Sequence, residues 1–370
     1  MIKLSTNKNE DYIPQLDTLR TIAVLLVIVS HWISSDNIIN FFPNGMMGVD
    51  LFFVLSGFLI TGILLRAKTK AEKSNKSKSK TIISFFTRRA LRIFPIYLIV
   101  ITILLIAGFG LVKTNPGFFY TYTHNFLYHS VNMWPGYISH LWSLAVEEQF
   151  YLIWPFILLF IPNKYILKTL IFIIVLGFSS HLMLDIFLPN NQLNSVLLPT
   201  CLYAFGFGGL LAYLQIIKSE VLNTIFSKII IGITLLLFTF YTFNIIEFYK
   251  EIFERFLFSI ISMYAIHYTC QMQGVILKIF TNKLTVYLGK ISYGLYLFHP
   301  LIGFIYNDIH LFLKKTNINI PFTDITFFPN IEFPVLRMFF LSLLLIAISS
   351  FSWYLIEKPI NNLKKYFKYN

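Results

Sequence analysis

The chain is 370 residues long, 56% hydrophobic and only 13% charged, with 40 Phe and 21 Tyr. A globular protein carries roughly 25% charged residues, so a water-exposed surface is excluded for much of this chain and lipid must be its solvent. A net charge of +13 raises nucleic acid as a partner, but the basic residues do not gather on a soluble module, which excludes it.

Apolar stretches of the roughly 20 residues needed to cross a bilayer recur at 19–35, 47–65, 93–112, 138–161, 166–188, 196–217, 228–246, 256–276, 286–306 and 334–356. They predict an all-α polytopic membrane protein, a bundle of about ten transmembrane helices. With the N-terminus cytoplasmic, every Lys and Arg falls inside except Lys113, Lys250, Arg255, Lys314, Lys315 and Arg337. The positive-inside rule therefore puts both termini in the cytoplasm, and the net charge reads mainly as a topology signal.

On this reading residues 1–370 form one integral-membrane domain. Segment 1–18, a Lys/Ser-rich loop at 68–80 and a tail at 357–370 lie on the cytoplasmic side. The loop reads as a solvated, topology-fixing linker able to touch anionic lipid. The first apolar run lacks a small-residue cleavage pattern and follows a polar stretch, which predicts an uncleaved span. Cys201 and Cys270 lie in separate spans and make neither a disulfide framework nor a metal motif, so no metal is expected. No internal repeat is visible.

Ionisable groups inside spans cost free energy unless paired, which makes them candidates for function. In the first span Arg20 and His31 are eleven residues apart. That spacing rises about 16 Å and turns about three times, placing both on nearly one face. The second span opens with GVDLFFVLSGF (48–58), carrying Asp50 near its outer end and Ser56 about two turns deeper. The third begins with TRRALRIFP (87–95), which clusters Arg88, Arg89 and Arg92; Arg89 and Arg92, at i and i+3, share a face.

The fourth span contains HLWSLAVEEQFYLIWP (140–155), with His140, Glu147 and Glu148. Adjacent helical residues diverge by about 100°, so at most one of the two glutamates is expected to face a common site. The ninth runs GKISYGLYLFHP (289–300), with His299 about as deep as His31. By depth, Arg20, Arg89 and Arg92 form an inner layer and His31, Asp50, Glu147 and His299 an outer one. Inner cations suit a phosphorylated donor, and an imidazole beside carboxylates suits general acid/base chemistry. The gap of about 16 Å matches an extended pantetheine arm.

Each element also has a plainer reading. Interfacial arginines snorkel as topology anchors, a lone intramembrane histidine can be a hydrogen-bonded packing residue, and the Ser and Gly of VLSGF permit close helix packing. His124, His129 and His310 fall in outer loops and point to no site. Tyr120, Tyr122, Trp134 and Tyr137 suit either an interfacial aromatic belt or stacking on sugar rings.

The ordered motifs LDTLRTIAVLLVIVSHW, GVDLFFVLSGFLIT, RRALRIFPIYL, HLWSLAVEEQFYLIWP, ISYGLYLFHPLI and the closing EKP at 357–359 carry a resemblance. Taken together they resemble the membrane-bound acyltransferase family 3, integral-membrane O-acyltransferases that modify bacterial glycans. The resemblance implies that Arg20 and His31 are the family's Arg-x10-His element, with His31 catalytic. It implies that Arg89 and Arg92 help to hold acyl-CoA and that Glu147 is the Glu of the SLxxE element, with Glu148 its more variable neighbour. The length past the last span suits a stand-alone form without an appended esterase-like domain.

The function expected is O-acetyl transfer from cytoplasmic acetyl-CoA to a hydroxyl of a surface or lipid-linked polysaccharide such as O-antigen lipopolysaccharide, capsule or exopolysaccharide. The setting is the bacterial cytoplasmic membrane, crossed many times. His31 is base or acyl carrier, Glu147 or Asp50 orients it, and Arg20, Arg89 and Arg92 bind CoA phosphates; Ser56, Glu148 and His299 are additional candidates. A proton-coupled transporter or flippase is the rival reading, with no repeat or paired broken helices to support it. Oligomeric state is not legible.

Overall fold

A computed structural model describes residues 12–33, 37–40, 42–74, 77–217, 232, 250–315 and 334–369, which are helical with connecting turns and contain no strand. Nine long helices organise them: α1 (Pro14–Trp32), α2 (Asn44–Lys73), α3 (Lys78–Ile106), α4 (Leu141–Phe160), α5 (Ile166–Phe187), α6 (Leu198–Ile216), α7 (Lys250–Gln271), α8 (Ser292–Lys315) and α9 (Pro334–Ser352). Six helical stretches among the described residues are long and apolar enough to cross a membrane: those containing α2, α3, α4, α5, α6 and α9.

The spans expected at 19–35, 256–276 and 286–306 correspond to α1, α7 and α8, which are helical but fall outside those six. Their polar residues lower the apolar content: Asp17 and Arg20 in α1, Glu254 and Arg255 in α7, and His299 with Pro300 in α8. The span expected at 228–246 lies outside the described residues apart from Gly232.

α2 is the central helix. Its most apolar stretch is 78% buried, against 22% for α5 and for the stretch containing α9, which face outward. Small residues let α2 sit this deep. A Cβ at Gly57 would stand 2.2 Å from the Phe205 carbonyl oxygen, and one at Gly208 would stand 2.0 Å from that of Val54. α2 and α6 therefore pack backbone against backbone, the close approach that small residues allow between membrane helices. The Gly of VLSGF is thus a packing residue.

The Lys/Ser-rich stretch is shorter as a loop than its composition suggests. α2 continues to Lys73 and α3 starts at Lys78, with the Ser77 hydroxyl accepting the Ser79 backbone N–H. Lys68 is only 2% exposed. Its Nζ donates to the carbonyls of Leu158 at 3.1 Å and of Ile161, at the C-terminal end of α4. An ammonium there satisfies carbonyls the helix cannot pair and complements the negative end of its dipole. Good helix formers in AKTKAEK extend α2 far enough to deliver it.

Between α3 and α4 short helices at Gly110–Thr114, Pro116–Tyr120 and His124–Val131 build a cap. His124 is fully buried there, parallel to Phe119 at 5.0 Å and bonded through Nε2 to the Leu141 carbonyl at 2.8 Å. Burial pulls its pKa down to about 4, against the upward pull of that hydrogen bond. A histidine expected in an outer loop, with no role assigned to it, is thus a neutral packing residue. Tyr122 also packs inward, against Tyr97 at 4.2 Å, while Tyr120 bonds Thr102 and Tyr137 packs on Phe304 at 4.3 Å.

Candidate active site

Two cavities lie among α1, α2, α3, α4 and α8. The first, small at about 90 Å³, is lined by Arg20, Arg89, Arg92, Ser56, Glu147, Glu148 and Tyr151. The second, about 450 Å³, is lined by His31, His140, Trp134, Ser30 and Asn44. Val49 and Tyr296 line both.

In the arginine cavity the expected cations converge. Arg20 is held by Asp17, three residues earlier and 5% exposed, which also accepts the Tyr12 hydroxyl at 2.6 Å. Arg89 lies over the rings of Tyr151 at 5.4 Å and Phe85 at 5.8 Å. Arg88 goes elsewhere: it donates to the carbonyls of Lys364 at 3.0 Å and Phe367 at 3.1 Å and covers Tyr369. One turn of helix thus divides its arginines between cavity and tail.

Glu147 accepts the hydroxyls of Ser56 and Tyr151, which links Ser56 to the ring under Arg89. Glu148 lines the same cavity, so both glutamates face it where one was expected: the cavity wraps around α4 from the α2 side to the α3 and α8 side. Glu148 Oε1 is buried with no hydrogen-bond partner among the described residues.

The structure brings neither expected carboxylate to His31. Glu147 lies seven residues past His140, about 10 Å further along α4, and so falls in the arginine cavity. Asp50 is fully buried against Arg255, whose Nη2 approaches its Oδ1 to 2.8 Å and whose Nε lies 3.2 and 3.3 Å from its two oxygens. Arg255, expected outside the membrane, also donates to the Ser195 carbonyl at 2.9 Å and is 1% exposed. The pair bridges α2, α7 and the start of α6.

Histidines surround His31 instead. Its ring, open to the second cavity, meets that of His299 edge to face at 4.9 Å, and His299 meets His140 at 5.1 Å. Pro300 has no N–H to give the Tyr296 carbonyl four residues back. That carbonyl accepts instead from His299 Nδ1 at 2.8 Å. Since a carbonyl only accepts, the proton is on Nδ1 and the Nε2 lone pair is free; it has no partner among the described residues. His140 is held the other way, with Nε2 donating to the Leu297 carbonyl at 3.3 Å and Nδ1 unpartnered. The Trp32 indole donates to the His299 carbonyl at 3.1 Å, tying the end of α1 to α8. Sequence reasoning gave no role to His140, Tyr296 or Asp17. The seven-residue step from His140 to Glu147, which keeps one face of α4, was the signal for the first.

Chemically the arrangement offers fixed cations on a small cavity and a solvent-open imidazole in a roomier one, with two residues common to both walls. A family model described as an acyltransferase domain matches residues 13–357. The chain is similar to the peptidoglycan O-acetyltransferase OatA of Listeria monocytogenes, 32% identical over 336 residues, covering 81% of this chain and 51% of that protein. It is also similar to the O-acetyltransferase OatA of Staphylococcus aureus strain NCTC 8325, 29% identical over 325 residues, covering 80% of this chain and 51% of that one. The chain spans about half the length of these curated relatives. No solved structure matches it.

Proposed function

Since the chain belongs to the membrane-bound acyltransferase family 3, we propose that it transfers acetyl from cytoplasmic acetyl-CoA to a hydroxyl of a cell-envelope glycan. The observation that carries this reading is the pair of adjoining cavities, arginines in one and His31 in the other. Arg89, Arg92 and Arg20, on the wall of the first cavity, bind the CoA phosphates, and the acyl-pantetheine arm extends from them toward His31. His31 takes the proton of the acceptor hydroxyl, the oxygen attacks the thioester carbonyl, the C–S bond breaks, and the proton passes from the imidazolium to the CoA sulfur. His299, its tautomer fixed by Tyr296, orients His31. Glu147 acts on the donor side, fixing Tyr151 beneath Arg89.

The bundle has about ten spans in the bacterial cytoplasmic membrane with both termini cytoplasmic, so the histidine cavity opens outward. The relatives' names support acetyl transfer over transport, and the Listeria relative is named for peptidoglycan. That favours a cell-wall glycan over O-antigen as acceptor. Trp134, 45% exposed on the wall of the histidine cavity, offers a face on which a sugar can stack.

Mass spectrometry of envelope glycans from cells with and without the gene, complemented by wild type or His31→Ala, tests the assignment. An acetyl mass difference restored only by the wild type is expected. Full glycan acetylation with His31→Ala would overturn it.

A further inference from the structure

Val49 and Tyr296 line both cavities, so an acyl group presented from the arginine cavity to the histidine cavity comes to lie against them. Neither has room to yield. Next to Val49, a Cβ at Gly48 would stand 2.4 Å from the Ala23 carbonyl oxygen and 2.8 Å from Val27 Cγ2. α2 is therefore pressed onto α1 at this point, and the β-branched Val49 has one strongly preferred rotamer in a helix.

Tyr296 is pinned at both ends. Its hydroxyl lies 2.5 Å from Ser143 Oγ and donates to the His140 carbonyl at 3.1 Å. Its own carbonyl holds His299, and its ring packs edge to face against Phe52 at 5.9 Å. Val49 and Tyr296 are each 5% exposed, packed on all sides but those turned to the cavities.

We propose that Val49 and Tyr296 form an unyielding wall against which the end of the acyl chain stops when its thioester carbonyl stands at His31, so that acetyl fits and each further methylene clashes. The proposal rests on the acyl-CoA reading above. Rigidity is what makes it selective. An apolar wall that cannot relax discriminates about 10–200-fold per methylene, whereas a mobile side chain would step aside.

The test uses permeabilised cells expressing the full chain, which keep their envelope glycans. They are supplied with an equal mixture of acetyl-, propionyl- and butyryl-CoA, and the esters are released by mild alkali and quantified by mass spectrometry. The wild type should incorporate acetyl predominantly. Val49→Ala should raise the propionyl-to-acetyl ratio about tenfold, and Val49→Leu should lower total incorporation while keeping the preference for acetyl. Tyr296→Phe, which keeps the ring and releases its anchor, should raise the ratio by a smaller factor and covers the case in which a Val49 variant does not accumulate. Wild-type ratios and amounts in all three variants would overturn the wall and leave the donor reading standing. Absence of any CoA-derived ester with the wild type would overturn both.

Discussion

His299 stands edge to face with His31, their ring centroids 4.9 Å apart and their planes at 70°, although His31 lies in the last turn of the first helix and His299 far along the chain, in α8. A buried imidazole with one nitrogen committed to a carbonyl and the other free can fix a neighbouring imidazole and share its charge. A carboxylate would do so more strongly, but the two expected carboxylates are engaged elsewhere.

His31→Ala should therefore reduce transfer by about 10²–10⁴-fold, the scale of a lost general base, with membrane insertion intact. His299→Ala should cost less. His299→Gln, which restores a polar atom near the Nε2 position, should recover part of that loss and shift the pH–rate profile of turnover. A His299→Ala enzyme with the wild-type rate and pH profile would remove His299 from the site.

The Asp50–Arg255 pair is expected to act on stability. Removing one member of a buried, hydrogen-bonded ion pair costs about 3–5 kcal/mol because the other charge is left uncompensated. Asp50→Asn should lower the melting temperature in detergent while turnover per folded molecule stays near that of the wild type. A stable Asp50→Asn protein with no turnover would return Asp50 to the catalytic list.

Why Asp50 could be picked out but not assigned shows where sequence reading stops. Depth along a helix follows from residue count, so Arg20, Arg89 and Arg92 could be grouped before any coordinates, and the structure does place them on one cavity. The same arithmetic set His299 level with His31. Which way a side chain turns between helices follows from packing. Val49 and Asp50 are neighbours about 100° apart, and one faces the cavities while the other faces α7. The ion pair joins residues more than 200 apart, with no local pattern to announce it. Lys68 misled for a related reason: a basic, polar stretch looks solvated until a neighbouring helix end supplies carbonyls for the amine.

The three arginines of TRRALR should separate experimentally. Replacing Arg89 and Arg92 together should raise the KM for acetyl-CoA by at least about tenfold, since each charge-assisted hydrogen bond contributes about 1.5–3 kcal/mol. Arg88→Ala should leave that KM unchanged and instead loosen the tail, exposing residues 363–369 to protease in detergent. An equal KM effect from Arg88 would mean that the tail, not the pair, sets donor affinity.

His124 gives the cap a pH dependence whose sign is fixed by its burial. Its pKa in the folded protein is pulled down to about 4, below the roughly 6.5 of a free imidazole. The folded state therefore binds fewer protons than the unfolded one between those values. The stabilisation is fully present above about pH 6.5 and is lost as pH falls through that window toward 4, by about 3 kcal/mol in total. The loss should appear in the cap, because the ring lies against Phe119 and Tyr128 and its Nε2 proton holds the first residue of α4. Melting curves in detergent at pH 7.5 and 4.5 should show the wild type losing several degrees more than His124→Phe, which keeps an aromatic ring on Phe119 but cannot be protonated. The variant should start less stable at pH 7.5, since the Leu141 carbonyl loses its donor there. Identical acid sensitivity in the two proteins would place the titrating group elsewhere.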